Sequence, residues 1–161
     1  MSLVTIRAFN DSDIDRILEV WRAAGLVPPP NDPPRDIRQA RTRGAGDVFV
    51  AEFNDRMVAT IMVGREEQQG WLYYLAVDPT VQRKGLGRAM VRYAEKWLQA
   101  RGVTKVLLMI RNNPGNVREF YRRLGYQAEP KRIMSRSLTP AAANKPAEPA
   151  QIADGRLERP A

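Results

Sequence analysis

The chain has 161 residues and a formal net charge of +8, with no cysteine and no histidine. Those two absences exclude disulfides, thiolate or histidine metal sites, an acyl-cysteine intermediate and a Ser-His-Asp triad. The length suits one domain with its own core; no apolar run could span a membrane and no cationic-apolar leader precedes the first strand, so a soluble, cytoplasmic protein is expected.

Leu3 to Arg7 reads as a strand, and NDSDIDRILEVWRAAG as a helix after it. Asn10 to Ser12 offer caps, Ile14, Ile17, Leu18 and Trp21 recur at helical spacing, and Gly25 supplies a stop. LVPPPNDPP cannot lie inside a helix or sheet, because its five prolines fix φ and remove donors. A short helix is expected near Arg35 to Thr42. Asp47 to Phe53 and Arg56 to Val63 read as strands joined across Asn54-Asp55, a hairpin signal. A turn at Gln68 to Gly70 leads into Trp71 to Val77, the most strand-like run.

The next helix carries Leu86, Ala89, Met90, Tyr93, Ala94, Trp97 and Leu98 on one face, with Arg88, Arg92, Glu95, Lys96 and Gln99 on the other. Gly102 ends it. VTKVLLMI reads as a strand, NVREFYRRLGY as a short helix stopped by Gly125, and Lys131 to Leu138 as a last strand. From Thr139 onward, Ala, Pro and charge without periodicity predict a disordered tail, so one domain over 1–138 and a tail over 139–161 are expected. The element order is that of a mixed α/β sheet with helices packed on it.

Of the 26 Lys and Arg, 14 fall between Gln82 and Arg136, together with only 3 of the 18 acids. That basic part contains VDPTVQRKGLGRAM. A helix N-terminus leaves N–H groups unpaired and carries the positive end of the dipole. Glycines let an anion's oxygens approach them. QRKGLG can therefore form an anion cradle, with Arg83 and Lys84 adding charge and Gln82 a side-chain hydrogen bond, and a pyrophosphate is its natural guest. A plain loop-to-helix junction with solvated cations is the alternative. The pattern G-x-x-x-x-G-K-[ST] is absent, and G-x-G-x-x-G fails at Met90. No zinc-finger or RNA-recognition signature accompanies the positive charge, so nucleic acid is not the expected partner.

A strand, then VDP, then Q/R-x-x-G-x-G/A opening an amphipathic helix resembles the acetyl-coenzyme A signature of the GNAT acetyltransferases. The strand VLLMIR, the turn NNPGN and the helical FYRRLGY resemble the second half of that signature. The resemblance runs over roughly Leu3 to Leu138. Within the family, VWRAAGL followed by NDPPRDI, plus GWLYYLAVDP, is similar to the small bacterial subgroup called YpeA. The resemblance implies a mostly antiparallel sheet of about six or seven strands, with a splayed parallel pair at the coenzyme site and about four flanking helices. It also implies an N-acetyltransferase that moves acetyl from acetyl-coenzyme A to a primary amine by direct attack, with no metal. The acceptor is an amine-bearing small molecule or protein. Homodimers are common among relatives.

Carried over residue by residue, the resemblance puts the backbone of Leu75, Ala76 and Val77 against the acetyl group and pantetheine amides, where the strand splays at a bulge. It puts the N–H groups of Arg83, Lys84, Gly85, Leu86, Gly87 and Arg88 on the pyrophosphate, with Gln82 beside them. Tyr121 matches a tyrosine that protonates the departing thiolate. Its spacing from Val117 and Leu124 suits a core aromatic equally well. The family's coenzyme-binding asparagine falls on Pro114 here, and Asn113 and Asn116 flank it as candidates. Met109 stands where some relatives, ribosomal-protein acetyltransferases among them, carry a glutamate base. Tyr73, Tyr74, Glu52, Asp32, Glu66 or a water chain are left for that task. Trp21, Asn31 and Asp32 are the substrate-side candidates, although Asn31-Asp32 also suits a proline-rich turn. A phosphate cradle without a base equally describes a non-catalytic acetyl-coenzyme A-binding sensor.

Overall fold

The computed structural model describes residues 4–26, 33–42, 44–110, 116–136, 138, 151–153 and 156–158. Strand β1 (Val4–Ala8) leads to helices α1 (Ile14–Ala23) and α2 (Pro33–Thr42). Strands β2 (Gly46–Phe53), β3 (Arg56–Glu66) and β4 (Gln69–Val77) follow, then α3 (Leu86–Gln99), β5 (Lys105–Leu107) and α4 (Val117–Arg123). The main sheet runs β1-β2-β3-β4-β5, antiparallel except for the parallel pair β4–β5. Two short strands, β6 (Gln151–Ala153) and β7 (Arg156–Glu158), form a separate antiparallel pair.

Local chemistry sets the element ends. Asn54 and Asp55 both take positive φ, 51° and 58°, which gives the mirror-image turn that suits twisted hairpin strands. Helices α1, α3 and α4 each end on a left-handed glycine, Gly25, Gly102 and Gly125. In each the following residue's N–H reaches back five positions: Leu26 to Trp21, Val103 to Leu98 and Tyr126 to Tyr121. The two faces of the sheet bury different helices. Gly70 of β4 lies against Leu98 of α3, and Phe49 of β2 packs edge-on to Tyr93 and Trp97. Trp71 and Tyr73, pointing the other way, line a cavity with Asp36, Gln39 and Ala40 of α2.

The strand count corrects the expectation of six or seven: the main sheet has five. Lys131 to Leu138 is not a strand at its described residues, and Ile133, Met134 and Leu138 are 65%, 95% and 89% exposed. A strand needs an edge to pair with. The edge it would extend is short, because β5 covers Lys105–Leu107 rather than the whole of VTKVLLMI.

The pairing of β4 is interrupted on both sides. On the β3 side, Met62 faces Tyr73 and Thr60 faces Ala76, so β4 carries one extra residue opposite Ile61. Tyr74, inside this bulge, has φ of 49°, a strained value for an aromatic residue. The bulge turns two successive tyrosines toward the α1–α2 side. Tyr73 lines the α2 cavity, and Tyr74 stacks on Trp21 of α1 with ring centroids 4.3 Å apart and planes 8° from parallel. The Trp21 indole N–H donates to the Thr60 hydroxyl at 2.9 Å, and that hydroxyl lies 3.3 Å from the Tyr74 carbonyl oxygen. On the β5 side, pairing stops at Trp71–Leu107, and the two strands fork.

Trp21 is 1% exposed. Trp21→Phe removes the bond to Thr60 and part of the stack that holds Tyr74, and it should cost about 1–3 kcal/mol. The denaturant midpoint should fall at constant slope; an unchanged midpoint would show that the bulge does not lean on Trp21.

Candidate active site

Beyond the fork, β4 from Leu72 to Val77 pairs with no described strand on its β5 side, although β7 packs close to β4. Leu75, Ala76 and Val77 are buried as whole residues, main chain included, at 0%, 0% and 4% exposure. The chain then turns through Asp78 and Pro79–Val81 into the N-terminus of α3.

That turn is anchored by Asp78, which is 4% exposed. Its carboxylate accepts from the Thr80 N–H at 2.9 Å and the Thr80 hydroxyl at 2.7 Å, and Arg56 reaches it at 2.9 Å. Burial alone would raise the Asp78 pKa. The Thr80 hydrogen bonds and the Arg56 and Arg16 guanidiniums outweigh burial and hold it below the ordinary value. The side-chain amide of Gln82 donates to the Val77 carbonyl at 3.0 Å, tying the turn back to the strand end.

Gly85 caps α3 at φ 81°, and Arg83 before it is also left-handed, at 66°. An L side chain at Gly85 would be strained even though a Cβ there meets nothing within 4 Å. No side chain caps this helix; the first intrahelical bond runs from Ala89 N–H to the Gly85 carbonyl. Leu86, Gly87 and Arg88 therefore present first-turn N–H groups to a cleft of about 720 Å³. Arg83, Gly85, Asn116, Glu119, Phe120 and Arg123 also line it. Lys84 lies beside it over the Phe53 ring, 5.9 Å from the centroid.

Helix α4 supplies the other wall. Asn116 is its N-cap residue and faces the cleft, whereas Asn113, like Asn31 and Asp32, lies outside the described residues. Tyr121 is 1% exposed, and its hydroxyl has no hydrogen-bond partner among the described residues. Burial pushes its phenol well above the ordinary value. An unsatisfied buried hydroxyl costs about 1–3 kcal/mol, and Tyr121 lines neither the cleft nor the α2 cavity.

The remaining candidates are dispersed. Glu52 is engaged by Arg7 at 2.5 Å, Tyr74 is stacked in the core, and Trp21 is buried beneath it and lines neither cavity, which corrects its expected place on the substrate side. Burial, then the nearby Glu66 carboxylate, push the Tyr73 phenol up, which makes it a neutral donor rather than a base. Glu66 and Met109 meet at the α2 cavity. Sequence reasoning missed Glu119 and Phe120. Glu119 pairs with Arg122 at 2.7 Å and Arg123 at 2.9 Å, which holds its pKa at about 2. Phe120 closes the cleft over Gly87, where a Cβ would come within 3.3 Å of its ring. The signal for both was their place beside Tyr121 on a short helix.

A glycine-opened helix N-terminus beside a forked parallel strand pair is the arrangement that the resemblance implied. The model of the acetyltransferase (GNAT) family matches residues 14–126, and the chain belongs to that family, whose members use acetyl-coenzyme A. Among solved structures it is similar to the ribosomal-protein-S18-alanine N-acetyltransferase of Escherichia coli, with 24% identity over 76% of this chain and 77% of that one and a TM-score of 0.67. It is similar to glucosamine-6-phosphate N-acetyltransferase of Arabidopsis thaliana, with 22% identity over 85% and 99% and a TM-score of 0.67. A predicted acetyltransferase of Clostridium acetobutylicum, solved with acetyl-CoA, matches at 16% identity over 89% and 100%, with a TM-score of 0.68.

The depressed Asp78 pKa has a defined sign. Its stabilisation is fully present above the ordinary value of 3.8 and is lost as pH falls through the lowered one. Asp78→Asn should cost about 2 kcal/mol at neutral pH, and the gap between variant and parent should close in acid. A gap that stays constant down to about pH 2 would mean the charge of Asp78 is not what anchors the turn.

Proposed function

We propose that the protein is an N-acetyltransferase of the bacterial YpeA subgroup, working in the cytoplasm by direct transfer of acetyl from acetyl-coenzyme A to a primary amine. The observation that carries this reading is the fork: β4 parts from β5 at Trp71 and leads to the N-terminus of α3, which no side chain caps. Residues 1–138 form the catalytic domain; of the remainder, expected to be disordered, the described residues are the strands β6 and β7, and β7 packs close to β4.

The residues present fit the donor. The main chain of Leu75, Ala76 and Val77 pairs with the pantetheine amides as a missing strand would. The N–H groups from Arg83 through Lys84, Gly85, Leu86 and Gly87 to Arg88 hold the pyrophosphate, with the Arg83 and Lys84 charges beside them. Gln82 shapes the cradle through Val77, and Asn116 stands at the mouth.

When bound, the donor supplies an activated acyl carbon and a thiolate leaving group. The amine nitrogen bonds to that carbon, the carbon–sulfur bond breaks, and the amine's proton leaves to water. The Tyr121 hydroxyl donates to the departing sulfur. Because burial keeps this phenol neutral, it serves as a fixed donor across the working pH range.

Two variants test the assignment. Gly85→Glu places a side chain and a negative charge in the cradle; the folded variant should show no acetyl-coenzyme A binding by calorimetry, and retained affinity would refute the pyrophosphate site. Tyr121→Phe should lower turnover by about 10- to 100-fold with little change in coenzyme affinity. The defect should shrink for acyl donors with more acidic thiols. Full turnover on every donor would leave Tyr121 as a core aromatic.

A further inference from the structure

A second cavity, of about 790 Å³, lies apart from the phosphate cleft. It lies between α2 and the β3–β4 hairpin, and it shares no lining residue with the phosphate cleft. Its position is defined by the fork. Trp71 is the last β4 residue paired with β5, Tyr73 comes just after the strands part, and Met109 follows the end of β5. All three line the cavity, so it opens on the fork from the side opposite α3.

Its chemistry is that of a cation site. The Trp71 and Tyr73 rings lie 6.4 Å apart and 15° from parallel, forming one aromatic wall. Gly64 pairs with Trp71 across the hairpin, and a Cβ there would sit 3.1 Å from the Tyr73 ring, so the glycine leaves that ring its place. Glu66 closes the wall and makes no ion pair among the described residues; Asp36 brings a second carboxylate from α2. Arg65 also lines the cavity, but its guanidinium is engaged outside it, donating to the Arg101 carbonyl at 3.0 Å past the end of α3. A carboxylate beside electron-rich ring faces attracts ammonium groups, and the volume is that of a small-molecule pocket.

We propose that this cavity is the acceptor pocket, and that it selects a small amine carrying a second positive charge. Glu66, Trp71 and Tyr73 hold the distal ammonium while the reacting amine reaches the fork. The proposal rests on the acetyltransferase reading, and its test separates the two.

The full chain is titrated with 1,4-diaminobutane, butylamine and a lysine-containing peptide in the presence of coenzyme A, with tryptophan fluorescence as readout, and thiol release from acetyl-coenzyme A is followed with each. The diamine should quench fluorescence, Trp71→Phe should remove the quench, and butylamine should bind at least about tenfold more weakly. Glu66→Gln, at an exposed strand end, should raise the diamine KM about tenfold and leave kcat and the butylamine KM within about twofold. Salt should erode the difference. Equal use of butylamine, preference for the peptide, or a Glu66→Gln variant with unchanged diamine KM overturns the pocket assignment while transfer itself stands. Glu66-dependent quenching without thiol release from any amine upholds the cation pocket and overturns the acetyltransferase reading.

Discussion

A strand that loses its neighbour must find other partners for its N–H and C=O groups, and in this protein that requirement falls on β4. Its hydrogen bonds to β5 end after Trp71, and its register to β3 slips at Tyr74. Both interruptions are held from outside the strand. The stacked Trp21 ring keeps Tyr74 in its left-handed bulge, and the Thr60 hydroxyl links the two. Past the strand end, Asp78 and Gln82 fix the turn that carries the chain from β4 to the N-terminus of α3.

Charge is divided along the same strand. At the Val77 end stand Arg83, Lys84 and Arg88 with an uncapped helix dipole; at the Trp71 end stand Glu66 and Asp36. The formal charge of +8 is therefore not spread evenly over the surface. Part of the positive charge near the cleft is also cancelled locally, because Glu119 engages Arg122 and Arg123. The cradle then relies on backbone N–H groups and on the cations of its own turn. That arrangement favours a ligand whose phosphates can be enclosed over one that merely seeks a basic face.

What could be read from the sequence was local. The glycine stops at Gly25, Gly102 and Gly125, the Asn54-Asp55 hairpin and the opening of α3 each depend on a few adjacent residues, and the structure bears them out. The bulge was foreseen only through family resemblance, since nothing in WLYYLAV marks Tyr74 as the residue that slips. The length of β5 and the fate of Lys131 to Leu138 depend on whether an edge is free, which is a long-range fact. The burial of Trp21 depends on Thr60 and Tyr74, distant in sequence and adjacent across the hairpin. The α2 cavity draws on α2, β3, β4 and the chain after β5, so no single window of sequence contains it.

A buried neutral phenol and the missing glutamate base at Met109 together constrain how the reaction proceeds. An amine must lose a proton to become a nucleophile, yet the tyrosine cannot take one and the described carboxylates nearest the fork belong to the proposed cation site. Desolvation supplies the alternative. An ammonium moved from water against Met109 and the Trp71 ring is disfavoured relative to the neutral amine, and its pKa falls. The distal ammonium, paired with Glu66, contributes to selection rather than to deprotonation, and positioning at the fork does the work a base would do elsewhere.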